Sequence, residues 1–191
     1  MPDALAVAVT NTNPDSCVNV QCSRIGKPWQ LSPDGISFIA VWESGLLNGT
    51  FAGHTVTEGF ILKAYLDNRG IPTVGCGHRI RPGDNINVGD VITLERARAF
   101  KKKALQEIEV RLNKDIHVPL HQFEYDAICS ISYNCGAYGG SDDIVRKINT
   151  GTYNKMHDYI LTYRVGTNKG VANRRRSEAD LFSTGVYNAS H

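Results

Sequence analysis

Leu62-Lys63-Ala64-Tyr65-Leu66-Asp67-Asn68-Arg69-Gly70-Ile71-Pro72-Thr73-Val74-Gly75-Cys76-Gly77-His78 is the stretch whose reading decides the fold. It reads as two short strands joined by a turn. Ile61, Lys63, Tyr65 and Asp67 share one parity, so a strand there places them on one face of a sheet. Asn68-Arg69-Gly70 is turn chemistry, because glycine adopts positive φ without a steric penalty and asparagine tolerates it. Ile71 to Cys76 supplies the second run, and Gly77 ends it. Such a hairpin holds the Asp67 carboxylate and the Thr73 hydroxyl near each other at its turn end. A carboxylate beside a hydroxyl can grip one water molecule, as acid–base chemistry requires. The plainer reading is an ordinary hairpin with a solvated aspartate at its turn.

Upstream, Leu31-Ser32-Pro33-Asp34-Gly35-Ile36 is a helix start. Ser32 can cap, Pro33 fits the first helical position, and Asp34 suits the positive end of the dipole. Leu31 and Ile36 have the spacing of a hydrophobic staple. Ile36, Ile39 and Trp42 fall on one face, and Gly45 is a stop, so the helix ends on Glu43. A carboxyl group at the negative end of a helix, beside a tryptophan, is in a place that disfavours its ionised form, as a general acid needs. Its plain alternative is a surface glutamate at a helix end. Leu46 to Phe60, with Gly49, Gly53 and Gly59 among polar residues, predicts a loop or small hairpin before the main one. Residues 1–30 show no helical periodicity and read as an arm or linker, with a short strand at Leu5 to Val9; 31–191 read as the folded domain.

The whole chain sets the bounds. Its 191 residues are 41% hydrophobic and 21% charged, which is ordinary for a globular protein and enough for a sizeable core. The net charge of +2 gives no reason to expect a nucleic-acid partner. Positive charge is nevertheless clustered at Lys101-Lys102-Lys103 and Arg174-Arg175-Arg176, as a basic rim for an anionic polymer or as solvated helix faces. Among the five cysteines and the histidines no second pair sits at zinc-ligand spacing, so no metal is expected, and no cofactor either. Cys17 and Cys22 could pair in an oxidising compartment, while Cys76, Cys129 and Cys135 read as small core residues. The N-terminus lacks the pattern of a secretory signal, and no run approaches the ~18 apolar residues of a membrane span.

Downstream, Thr93 caps a helix through Leu94, Ala97, Leu105, Ile108 and Leu112. Pro119-Leu120-His121-Gln122-Phe123-Glu124-Tyr125-Asp126-Ala127 opens a buried helix running to Gly136. Ile144 to Gly151 and Tyr153 to Val165 give two more helices, before Gly170-Val171-Ala172-Asn173-Arg174-Arg175-Arg176-Ser177-Glu178-Ala179-Asp180-Leu181-Phe182.

Three of these segments, in order, resemble the bacteriophage-type lysozymes. Leu-Lys-x-Tyr-x-Asp followed by Thr-Val-Gly-x-Gly-His is similar to that family's core signature, and Pro-Leu-x-Gln-x-x-x-Asp-Ala to its central helix. The last segment is similar to its terminal Gly-Leu-x-x-Arg-Arg-x-x-Glu-x-x-Leu-Phe. The resemblance implies an α+β lysozyme-like fold, with a small β-hairpin lobe, a larger helical lobe and a glycan cleft between. It also implies a muramidase that cuts the β-1,4 bond between N-acetylmuramic acid and N-acetylglucosamine in bacterial peptidoglycan. Asp67 and Thr73 match the family's catalytic Asp and Thr, and His78 and Arg174 are carried over as substrate-binding residues. The sequence departs from the family at the acid. Glu58 stands at the family's spacing from Asp67 but follows a stretch with little helical character. Glu43 closes a helix but requires about fifteen residues inserted after it. The reading favours Glu43, with Glu58 as the alternative acid. The rival functions are a lytic transglycosylase and an inactive peptidoglycan-binding module. A monomer is expected, made in the cytoplasm and acting on the wall after release as an endolysin or delivery as an antibacterial effector.

Overall fold

The computed structural model describes residue 24 and residues 26–190. The expected strand at Leu5 to Val9 and the pairing of Cys17 with Cys22 lie outside the described residues. A helix, α1 (Pro33–Ser44), leads into five strands: β1 (Asn48–Phe51), β2 (His54–Thr57), β3 (Phe60–Leu66), β4 (Pro72–Gly75) and β5 (His78–Arg79). They form one antiparallel sheet in chain order. After a 3₁₀ turn at Pro82–Asp84 come α2 (Leu94–Asp115), α3 (Gln122–Cys135), α4 (Asp142–Ile148), α5 (Met156–Thr162) and α6 (Lys169–Thr184). This is an α+β lysozyme-like arrangement.

α1 forms where the capping chemistry puts it. The Ser32 side chain accepts from the Gly35 amide at 2.9 Å, Pro33 opens the helix, and Gly45 closes it at φ 80° with its amide on the Val41 carbonyl. Leu31 and Ile36 are both buried, as a staple requires. The cap is itself held by Asp126 of α3. That carboxylate accepts from the Ser32 hydroxyl and amide, from Gln122 Nε2 at 2.8 Å and from the Tyr187 hydroxyl at 2.7 Å. Burial pushes Asp126 up to about 6 against the pull of these donors. One buried carboxylate therefore ties α1, α3 and the C-terminal tail together.

α3 is the core helix expected from its composition, with Tyr125, Ala127, Ile128 and Ile131 fully enclosed by the other helices. The part of the N-terminal arm that is described lies against this lobe. Arg24 forms a fork with the Glu124 carboxylate, Lys27 Nζ donates to the Asn113 and Ile116 carbonyls, and the Trp29 ring packs 5.5 Å from that of Tyr125.

The segment between α1 and the main hairpin is a second hairpin, made by two tight turns. Ala52 and Gly53 have φ of 50° and 81°, and Glu58 and Gly59 have 49° and 84°. Positive φ at both central residues is the two-residue turn that matches the twist of antiparallel strands. Gly59 is also required by space, since a Cβ there would stand 2.7 Å from the Val41 amide nitrogen.

The main hairpin differs from its expected form in one respect. Ile61, Tyr65 and Asp67 share a face through their pairings, but Lys63 between them leaves the ladder and bridges Val91 instead. Ile61 pairs with Gly75 and Tyr65 with Thr73, so four positions of β3 oppose two of β4. The bulge takes two residues out of the ladder, and because two is even the alternation on either side stays in step. The displaced residues bond instead to the loop ahead of α2: Ala64 N to the Asp90 carbonyl, and Ile92 N to the Leu62 carbonyl. Past the bulge the sheet has two distinct faces. Phe60, Ala64 and Val74 join the main core towards the helices. Val56, Ile61, Tyr65 and Thr73 share the other face through their pairings.

Candidate active site

Glu43 sits in the last turn of α1, and its Oε1 accepts from Arg174 Nη1 of α6 at 3.0 Å. Arg174 is held from behind. Its Nε donates to Glu178 Oε1 at 3.1 Å, while Arg175 takes the other oxygen of the same carboxylate. Ser130 of α3 donates to Glu178 Oε1 at 2.6 Å. Glu178 and Arg175 are fully enclosed and the Arg174 side chain is 6% exposed, against 34% for Glu43. Two arginines thus share one buried glutamate, and the unmatched positive charge is turned towards Glu43. Sequence alone did not reveal this link, though the i,i+4 spacing of Arg174 and Glu178 was visible.

At the hairpin turn, Asp67 Oδ1 accepts from the Arg69 and Ile71 amides at 2.8 and 2.9 Å. The Ile71 amide, then that of Arg69 and the charges of Arg69 and Arg79, hold the carboxyl below its ordinary value. Oδ2 has no protein donor among the described residues. Thr73 is buried and donates its hydroxyl to the Ile71 carbonyl at 2.9 Å, which leaves its oxygen free to accept. The register sets Asp67 opposite Ile71, two residues from Thr73. Both candidates therefore present acceptors at the same turn, as the sequence reading expected.

Cys76, just after β4, has its Sγ 3.9 Å from the Ala40 carbonyl of α1, and Tyr65 of β3 pairs with Thr73. Burial pushes the Cys76 thiol up, and the charges of Lys101, Glu43 and Arg174 also act on it. Burial likewise pushes the Tyr65 hydroxyl up, with Asp67 and Cys76 adding to the effect. Cys76 is half-buried rather than a full core residue, unlike Cys129.

Glu58 is elsewhere. It occupies the first central position of the β2–β3 turn, and its Oε2 accepts from Arg98 of α2 and from Ser37 Oγ of α1. Asp34, Ser37, Phe38, Val41 and Glu58 line a groove of about 640 Å³. At about 100° per residue, Glu43 projects about 180° from that face of α1. The two glutamates lie on opposite sides of one helix.

His78 also departs from the rest. It pairs with Val74 on the face towards the helices, where its ring stacks 4.0 Å from that of Phe100 and Nε2 lies 2.8 Å from Asp84 Oδ2. The structure does not bring it together with Thr73. The two basic clusters are not a rim either. Lys101 is buried with its ammonium 2.9 Å from the Tyr133 hydroxyl, and Arg174 and Arg175 are internal, leaving Lys103 and Arg176 in solvent. Helix periodicity turned those positions inward, where buried partners satisfy the charges. Among the described residues no three His, Cys, Asp or Glu side chains gather as metal ligands would.

Residues 55–178 match the family model described as phage lysozyme. The endolysin of Salmonella phage P22 is 38% identical over 130 residues, which are 65% of this chain and 88% of that protein. The endolysin of Acyrthosiphon pisum secondary endosymbiont phage 1 is 36% identical over 135 residues, 66% of this chain and 90% of that one. The solved endolysin from Escherichia coli O157:H7 phage FAHEc1 superposes with a TM-score of 0.60 at 30% identity, over 86% of this chain and 99% of its own.

Proposed function

The chain belongs to the phage lysozyme family, and from that premise we propose that it is a muramidase with Glu43 as general acid. Family and fold make it a peptidoglycan-lytic enzyme. The finer reading concerns which bond is cut and by which groups. Glycoside hydrolysis needs one carboxylic acid to protonate the leaving oxygen and one group to manage the water. The observation that supports the assignment is that Glu43 stands at a helix end with its carboxylate held by the buried Arg174, whereas Glu58 sits in a turn on the opposite side of that helix.

In this reading Glu43 gives its proton to the glycosidic oxygen between N-acetylmuramic acid and N-acetylglucosamine. Arg174 is a positioning residue that fixes the direction of that carboxyl group. One water lies at the hairpin turn, giving one hydrogen to Asp67 Oδ2 and the other to the Thr73 oxygen. Its lone pair then faces the anomeric carbon, and Asp67 accepts the proton released as the new C–O bond forms. Attack from the side opposite the leaving group inverts the anomeric configuration. The enzyme would act as a monomer on the wall, reached after release or delivery. Among the described residues no helix is long and apolar enough to cross a membrane.

Digestion of purified peptidoglycan tests the reaction class. Products with reducing N-acetylmuramic acid ends, one water heavier than their anhydro counterparts, are expected in the mass spectra. Products dominated by anhydro-sugars would make it a transglycosylase, and binding without solubilisation would make it a wall-binding module.

A further inference from the structure

The added hairpin places aromatic rings where the fold has no use for them. Phe51 of β1 lies directly across from His54 of β2, so their side chains share a face. The His54 ring stacks on that of Tyr65 of β3, with centroids 4.4 Å apart and planes tilted by 36°. Tyr65 in turn pairs directly with Thr73, and its hydroxyl feels the Asp67 charge. Phe51, His54, Tyr65 and Thr73 therefore follow one another, neighbour to neighbour, from the hairpin tip to the water-holding turn. Val56 and Ile61 are buried on this same face yet belong to no part of the main core. They give the row an apolar floor. His54 and Tyr65 are half-exposed, and Phe51 is 51% exposed.

A pyranose ring has one face made of C–H bonds and hydroxyls around its edge. Flat, half-exposed rings offer such a face apolar area at little entropic cost, and polar tips reach the hydroxyls. The row leads directly away from Asp67 and Thr73, so successive sugars of one strand would meet its members in order. We propose that Phe51, His54 and Tyr65 form a stacking ledge for N-acetylhexosamine units of the glycan strand beyond the bond that is cut. It rests on the reading of Asp67 and Thr73 as the hydrolytic turn. His54 and Phe51 are binding residues, and their effect falls on strand affinity and not on the chemical step.

The test is calorimetric titration of N-acetylglucosamine hexamer into the parent protein and into His54→Ala, Phe51→Ala and His54→Phe variants. Each alanine variant is expected to weaken hexamer binding roughly three- to tenfold, the size of one aromatic contact. His54→Phe should restore it. On peptidoglycan the alanine variants should raise KM by a similar factor and leave kcat unchanged. Melting temperatures within a degree or two of the parent show that the sheet has survived. A parent that does not bind the hexamer, or alanine variants within twofold of it, overturns the ledge. Wall lysis is followed on the same samples with Asp67→Asn beside them. Retained lysis in that variant sinks the hydrolytic turn, while hexamer affinity reports on the ledge independently.

Discussion

Glu43 and Glu58 flank the same helix, and the difference between them is what each carboxylate is for. Glu43 ends α1 and meets a cation that the core holds in place through Glu178, Arg175 and Ser130. Glu58 occupies a turn and meets Arg98, whose side chain is 27% exposed and carries no such backing. One arrangement fixes a carboxyl group in direction; the other closes a hairpin. A spacing pattern in the sequence cannot tell these apart, because a Glu-Gly pair serves equally as a helix end or as a tight turn.

The largest expected effect follows from this. A Glu→Gln change keeps shape and hydrogen bonding but removes the transferable proton. Glu43→Gln should lower wall lysis by about 10²–10⁴-fold, the usual contribution of a general acid, with little change in melting temperature. Glu58→Gln should keep most of the activity. Turbidity loss of purified cell walls measures both, and the reverse pattern would break the comparison outright.

Much of the fold was legible because its signals are local. The Ser32-Pro33-Asp34 start, the Gly45 stop and the Asn68-Arg69-Gly70 turn each act within a few residues, and the structure has them where the sequence put them. The order of the helices was legible for the same reason. What escaped the sequence is non-local. The bulge in β3 exists because residues 89–92 compete for its backbone groups, and nothing within β3 announces that. Arg174 meets Glu43 across 131 positions of chain, through a helix end and a helix face that only packing brings together. The placement of His78 was hidden for a simpler reason. Alternation about Val74 puts it on the core face, a consequence of register that the motif did not display.

The cations on the two sides sharpen the comparison next. Replacing Arg174 with methionine breaks a pair whose glutamate, Glu178, is fully enclosed. Such losses cost about 3–5 kcal/mol, and the lower figure applies because Arg175 still serves Glu178. Arg98→Met removes a partly exposed partner and should cost about 1 kcal/mol or less. Urea unfolding of both variants gives the two numbers. Equal costs would mean that Arg174 is no better anchored than Arg98.

The smallest effect is the most discriminating, because it pits two weak forces against each other at Glu58. Its φ of 49° is left-handed, as is the 84° of Gly59 beside it. A side chain such as glutamate is held there at a cost of about 1–2 kcal/mol, and asparagine tolerates the region better. Asn-Gly is also the preferred pair for this turn. Against that, Glu58→Asn gives up the contacts with Arg98 and Ser37, worth about 1 kcal/mol or less at this exposure. The backbone term should win by a small margin. The variant is expected to melt about 1–3 °C higher, the range that a fraction of a kcal/mol produces in a chain of this size. It should also lyse walls at close to the parent rate. Scanning calorimetry and turbidity on one sample give both readings. A variant that is folded, no less stable and unable to lyse walls would mean that the Glu58 carboxylate is needed for chemistry, and the two sides of α1 would exchange their roles.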